Sequence, residues 1–94
     1  MKKILINTEQ VTTREELHDL LAEKLALPPH YGRNLDALFD CLTDMREEDT
    51  VIALFESGEE KLISGYLRRL RMVLRDAEEE NPHLAVIFGH YEDN

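Results

Sequence analysis

The chain has 94 residues, of which 43% are hydrophobic, so its length and composition predict one folded domain over residues 1–94. The 20 acidic and 11 basic residues give a formal net charge of −9, which disfavours nucleic acid and anionic membranes as partners and favours basic proteins. With one cysteine, Cys41, no internal disulfide can form, and no apolar run reaches the length of a signal-peptide core or a membrane span. We expect a cytoplasmic protein.

The first two predicted elements are a strand and a helix. Residues 2–7, KKILIN, are mostly apolar and β-favouring, and they predict a short buried strand. Thr13 and Glu16 have the spacing of a capping box, and leucines follow at helical intervals, which predicts a helix over 14–25. On this helix we expect His18 on the solvent-exposed side.

A loop and a second helix follow. The Pro28–Pro29 pair keeps the first helix from continuing and holds the chain extended. After the loop PPHYGR, Asn34 is suited to cap a helix predicted over 34–43. The apolar stripe of this helix, which we expect to be buried, consists of Leu35, Leu38, Cys41 and Leu42.

The second half of the chain contains two more predicted strands and two more helices. An apolar strand is predicted at 50–55, and a short helix that Gly65 closes is predicted within ESGEEKLISGY. A longer helix over 66–80 ends at Asn81–Pro82, and a third strand at 84–89 precedes the polar tail HYEDN. The outward-facing arginines of the longer helix are expected to pair with surface acids, and they are Arg68, Arg69, Arg71 and Arg75.

This order of elements predicts the fold class. Strands that alternate with helices are typical of a parallel sheet built from right-handed crossovers. The strands are almost continuously apolar, which is expected when helices cover both faces of a sheet. The sequence therefore predicts an α/β protein with a three-stranded parallel sheet packed by about four helices.

The sequence offers little for catalysis. It contains no glycine-rich phosphate loop, no G-x-S-x-G turn, no H-E-x-x-H motif and no Cys/His spacing of a zinc site. Asp36 and Asp40 could form an acid/base pair or bind a hard cation, but two carboxylates on the outside of one helix lack the pocket that such chemistry needs. We expect no enzyme activity, no cofactor, no metal and no small-molecule substrate.

The two aspartates of the second helix need another explanation. Asp36 and Asp40 share a helix face, where two like charges four residues apart cost about 0.2–0.5 kcal/mol. Phe39 flanks them, and the apolar stripe lies opposite. This pattern leaves two interpretations open. It is either an ordinary solvated face or a surface that binds an arginine- or lysine-rich partner.

Three segments of the chain resemble the barstar family of intracellular inhibitors of a secreted bacterial ribonuclease: MKKILINTEQ, LHDLLAEKLALPPHYGRNLDALFDCLTD and VLRDAEEE. The resemblance implies the barstar fold, a three-stranded parallel sheet with about four helices. It also implies a function, since the second helix and the preceding loop of that family plug the active site of the ribonuclease. The expected partner is therefore a basic, extracellular-type microbial ribonuclease, bound one to one.

The resemblance also implies roles for individual residues. Asp40 matches the family's aspartate that takes the place of a substrate phosphate, Asp36 matches the other helical aspartate, and Asp76 matches an acidic contact on a later helix. Arg33 and Asn34 are expected to support the loop by hydrogen bonds. The full set of expected partner-binding residues is His30, Tyr31, Gly32, Arg33, Asn34, Asp36, Phe39, Asp40, Asp44 and Asp76.

The chain departs from the family pattern within this surface. His30 stands where the inhibitor has a tyrosine, Phe39 and Met45 replace tryptophans, and Asp44 replaces a glycine. Asp76 replaces the longer glutamate that is usual there. These departures indicate a different ribonuclease target or, as the alternative, an acidic module that binds a basic protein other than a nuclease.

Overall fold

The computed structural model describes residues 1–91, in which strands and helices alternate. The elements are β1 (Lys2–Asn7), α1 (Arg14–Lys24), α2 (Leu35–Thr43), β2 (Thr50–Ser57), α3 (Ser64–Glu80) and β3 (Leu84–Tyr91). The sheet has the order β1-β2-β3, and both strand pairs are parallel. The predicted α/β class and three-stranded parallel sheet are therefore confirmed. Residues 92–94, the end of the predicted polar tail, lie outside the described residues.

One face of the sheet carries the core. Alternate residues of the strands are buried, among them Ile6, Ile52 and Leu54, each with no exposed surface. On the opposite face Leu5 and Ile87 are 56% and 54% exposed. The expectation that helices cover both faces is wrong, because side chains alternate across a strand and only one set of them is fully buried here.

Three helices are present in the described residues, rather than the predicted four. The short helix expected around ESGEEKLISGY is absent; β2 extends to Ser57 and turns lead from there into α3. Gly65 is the second residue of α3 rather than the end of a helix, and the buried stripe of α3 follows it from Tyr66 and Leu67 onward.

The end of α3 holds the end of α2 in place. The buried side chain of Asn81 donates two hydrogen bonds, to the backbone carbonyls of Leu42 at 2.9 Å and Met45 at 3.0 Å. These carbonyls belong to the last turn of α2 and the residues after it, where helical partners are missing. The bonds therefore fix the orientation of α2 on the molecule.

The α3 arginines were predicted to pair with surface acids, and this is confirmed for Arg68 and Arg75, whereas the acid that pairs with Arg71 is buried. Three of them form ion pairs with acids, namely Arg68 with Glu60, Arg71 with Glu56 and Arg75 with Glu78. Arg69 instead lies over the ring of Tyr66, with its guanidinium carbon 5.5 Å from the ring centroid.

Candidate functional site

The second helix is amphipathic and capped as its sequence predicts. Asn34 has extended backbone angles, and its Oδ1 accepts a hydrogen bond from the Ala37 amide at 2.8 Å. Leu35, Leu38 and Leu42 are buried, whereas Cys41 is only half-buried. The remaining face of α2 is available to solvent, and the predicted acidic residues lie there.

The carboxylates of this face have no partner inside the protein. Asp36, Asp40 and Asp44 are all exposed, the last as the C-cap of α2. Within residues 1–91, none of their side chains takes part in an ion pair or a hydrogen bond. Because α2 has no basic residue in its last turn, Asp40 and Asp44 meet the negative end of the helix dipole without compensation.

Phe39 and Asp76 extend this surface in different ways. Phe39 is half-buried and packs against the core, so only part of its ring is available to a partner. Asp76 is exposed on α3, the helix that packs against α2, and no hydrogen bond or ion pair in the described residues joins it to α2. The structure thus brings loop 30–34 and α2 together and places Asp76 on the neighbouring helix.

The loop before α2 is held by its own side chains. Arg33 has a left-handed backbone conformation, φ 55°, which costs a non-glycine residue on the order of 1 kcal/mol. Its guanidinium donates to the carbonyl of Glu15 at 3.1 Å and pairs with Asp19. The side-chain Nδ2 of Asn34 donates to the Gly32 carbonyl. The predicted supporting bonds of Arg33 and Asn34 are therefore present.

His30 and Gly32 are exposed on this loop, but Tyr31 points inward and is only 8% exposed. The Tyr31 hydroxyl lies 2.6 Å from Nδ1 of His18, whose Nε2 lies 2.7 Å from the hydroxyl of Tyr66. Tyr31 is therefore held by packing and hydrogen bonding, and little of its side chain lies at the surface.

The prediction that His18 is solvated is wrong, because the side chain is 2% exposed. His18 precedes Leu21 by three residues and Leu25 by seven, so helical spacing alone places it on the apolar face. That spacing was the available signal. Tyr66, its partner on α3, could not be identified from the sequence because the pairing joins residues 48 positions apart.

A cleft of about 340 Å³ lies beside the end of α2. Leu25, Pro28 and Cys41 are among its lining residues, and Asp44 and Glu47 contribute carboxylates. Burial raises the pKa of the Cys41 thiol, and the nearby Asp44 and Asp40 raise it further, so the thiol is protonated and poorly nucleophilic at neutral pH.

Residues 1–91 contain no group of three or more His, Cys, Asp or Glu side chains placed to hold a metal ion. In the same part of the chain, no helix combines the length and the apolar character that crossing a membrane requires.

The fold and the site together define a small α/β protein that presents a capped, acidic helix to solvent. The family described as Barstar (barnase inhibitor) matches residues 1–91, and the chain belongs to this family. A protein of Bacillus subtilis (strain 168) named "Putative ribonuclease inhibitor YrdF" is 39% identical over 82 residues, which cover 85% of this chain and 89% of that protein. The family resemblance seen in the sequence is confirmed.

Proposed function

We propose that this protein inhibits a small basic ribonuclease by inserting its acidic surface into the active site of the enzyme. The acidic surface is defined as loop 30–34 with the exposed residues of α2 and its C-cap. One observation carries the proposal: Asp36, Asp40 and Asp44 are exposed, without an internal partner in the described residues, on a helix whose two ends are fixed. Family membership supports it.

In the proposed mechanism, Asp40 takes the place of a substrate phosphate. A ribonuclease binds phosphate with cationic groups, and arginine recognises carboxylate and phosphate with the same two-pronged geometry. Asp36 and Asp44 flank Asp40 and add charge to the same contact. The repulsion between these carboxylates, a small cost in the free protein, is relieved when a cationic cleft neutralises them. The protein itself performs no chemistry, needs no cofactor and forms a one-to-one complex.

The rest of the surface would determine which ribonuclease is bound. His30 and the exposed part of Phe39 offer aromatic contacts beside the carboxylates, and Asp76 adds an acidic contact from α3. Arg33 and Asn34 hold the loop, so a rigid surface is presented and little order has to be created on binding.

The charge of the whole protein supports fast association. A net charge of −9 attracts a basic enzyme and raises the rate of encounter, and this attraction weakens with ionic strength. We place this activity in the cytoplasm, where the inhibitor would neutralise the enzyme before its export.

Titration of the protein into barnase and a panel of other small basic bacterial ribonucleases tests the proposal. We expect at least one enzyme to lose activity with an end point at one equivalent, and we expect weaker inhibition when the titration is repeated in high salt. An acidic ribonuclease serves as the control and should keep its activity. If an excess of the protein inhibits no enzyme of the panel, while pull-down from the native cell returns a basic protein that is not a nuclease, the acidic-module alternative replaces this proposal.

A further inference from the structure

A buried chain of hydrogen bonds links the acidic surface to two other helices. It starts at Tyr66 on α3, passes through His18 on α1 to Tyr31 in the loop, and ends at the backbone carbonyl of Asn34. The distances are 2.7 Å, 2.6 Å and 3.5 Å in that order. His18, Tyr31 and Tyr66 are each less than a tenth exposed, so their polar atoms depend on one another rather than on water.

Counting donors and acceptors assigns the tautomer of the imidazole. A neutral imidazole has one N–H donor and one acceptor nitrogen. If Nε2 carried the proton, it would donate to Tyr66, and the hydroxyl of Tyr66 would then have no acceptor within the described residues. If Nδ1 carries it, Tyr66 donates to Nε2, Nδ1 donates to Tyr31, and Tyr31 donates to Asn34. Only the second arrangement pairs every hydroxyl and N–H.

The surroundings keep this imidazole neutral. Burial lowers the pKa of His18, the positive charge of Arg33 in the loop lowers it further, and Asp19 on α1 opposes them. On the α3 side, the guanidinium carbons of Arg14 and Arg69 lie 4.4 Å and 5.5 Å from the ring centroid of Tyr66. A proton on His18 would therefore be disfavoured by burial and by the charge of Arg33.

The chain ends where the acidic surface is built. The Asn34 carbonyl that accepts from Tyr31 also accepts the first backbone bond of α2, from the amide of Leu38, and the side chain of Asn34 caps the helix. The direction in which α2 leaves the loop is thus connected to His18 through a single side chain, Tyr31.

We propose that His18 is a positioning residue for partner binding, which acts by donating a hydrogen bond from Nδ1 to Tyr31 and so holds the loop and the start of α2. The expected effect of His18 on affinity rests on the proposed function, because it presupposes that a ribonuclease is bound. It concerns a residue that lies outside the acidic surface and is shielded from any partner.

Two substitutions of His18 separate positioning from plain packing. An asparagine amide nitrogen lies near the place of Nδ1, and a glutamine amide nitrogen lies near the place of Nε2. We expect His18→Asn to keep the bond to Tyr31 and to bind the inhibited ribonuclease within about threefold of the wild type. We expect His18→Gln to bind about tenfold more weakly, the effect of one lost hydrogen bond. If volume alone mattered, glutamine, the closer of the two in size, would be tolerated better, and that order would overturn the inference.

Tyr31→Phe provides a second route if either His18 variant folds poorly. It removes one hydroxyl and should weaken binding as His18→Gln does. The double variant that combines His18→Gln with Tyr31→Phe should show no further loss of affinity. Tyr66→Phe is the matched control, since it removes a hydroxyl from the same chain and leaves the bond between His18 and Tyr31. Its binding should stay within about threefold of the wild type. Additive losses in the double variant would contradict the inference.

Nitrogen NMR of the free protein tests the structural part without any ribonuclease. At pH 7.5 we expect the His18 ring to show the Nδ1–H tautomer, and we expect the amide signals of residues 31–34 to move in His18→Gln and to stay in His18→Asn. An Nε2–H tautomer would overturn the inference, whether or not a ribonuclease binds. If instead the tautomer and shifts are as expected and no ribonuclease binds, the proposed function fails and the positioning of the loop stands.

Discussion

The carboxylates of α2 and the carboxylate of Glu56 illustrate two uses of negative charge in one small protein. Glu56 in β2 is 7% exposed, and both of its oxygens accept from Arg71 at 2.7 Å. Asp36 and Asp40 are exposed and have no such partner in the described residues. The comparison separates an acid that is paired with a cation of the chain from acids on α2 that have no such partner in the described residues, and in the proposed function a cation of the ribonuclease pairs with the latter.

The largest effect on binding is expected for Asp40→Ala, which tests whether the α2 carboxylates serve binding rather than stability. If Asp40 serves binding alone, its removal should weaken ribonuclease binding by about 2–5 kcal/mol, about thirtyfold or more. The free energy of unfolding should stay unchanged or rise by a few tenths of a kcal/mol, because repulsion from Asp36 disappears. Inhibition assays and urea unfolding measure the two quantities. Glu23→Ala removes the same charge from exposed α1, and binding of that control should change little.

The opposite pattern is expected when the paired acid is disturbed. Arg71→Ala leaves the carboxylate of Glu56 nearly buried without its cation, and we expect the free energy of unfolding to fall by about 2 kcal/mol. Affinity for the ribonuclease should stay within about threefold at a temperature where the variant is folded. Urea unfolding gives the first quantity. If Arg71→Ala is stable but inhibits poorly, the ion pair within the fold and the exposed carboxylates of α2 do not have separate roles.

A smaller effect distinguishes the caps of the two helices. Asn34→Ala and Thr13→Ala each remove a side chain that caps a helix, so each should lower the free energy of unfolding by about 1 kcal/mol. Only Asn34 also holds the loop, by donating to the carbonyl of Gly32, so only Asn34→Ala should weaken inhibition as well. Equal inhibition by the two variants at matched stability would show that loop geometry is unimportant for binding.

The smallest effect concerns pH. The folded state lowers the pKa of His18 below its ordinary value of 6.5, chiefly through burial, so the unfolded chain takes up the proton first as pH falls. The stability that neutral His18 contributes is complete above pH 6.5 and is lost as pH falls below it towards the pKa of the folded state. Urea unfolding at pH 7.5 and 5.5 should show this loss, and it should shrink in His18→Asn. If His18→Asn loses as much stability between pH 7.5 and 5.5 as the wild type, the loss comes from groups other than His18.

Much of the molecule follows from local sequence patterns. The capping box of Thr13 and Glu16, the cap at Asn34 and the leucine stripe of α2 are contained within a few residues each, and the structure has them all. Parallel pairing of the strands followed from their alternation with helices. The acidic face of α2 was also predictable, since helical spacing separates Asp36 and Asp40 from the leucines.

The errors came from features that depend on distant parts of the chain. Whether Leu5 and Ile87 are covered depends on which side of the sheet the helices occupy, and a strand sequence alone leaves this open. Gly65, predicted to end a helix, is instead the second residue of α3, and the buried stripe of that helix follows it. The spacing of His18 to Leu21 and Leu25 indicates its burial, but the hydroxyls that pair with its ring belong to Tyr31 and Tyr66 on other elements.

The central claim is that this protein binds its partner with the loop 30–34 and α2. Backbone NMR of the labelled protein, recorded free and in complex with the ribonuclease that it inhibits, maps the contact surface directly. We predict that the largest changes fall on residues 30–44, with a further change at Asp76, and that β1 and β3 are unaffected. Changes centred on the exposed sheet face around Leu5 and Ile87, with α2 left unchanged, would contradict the account.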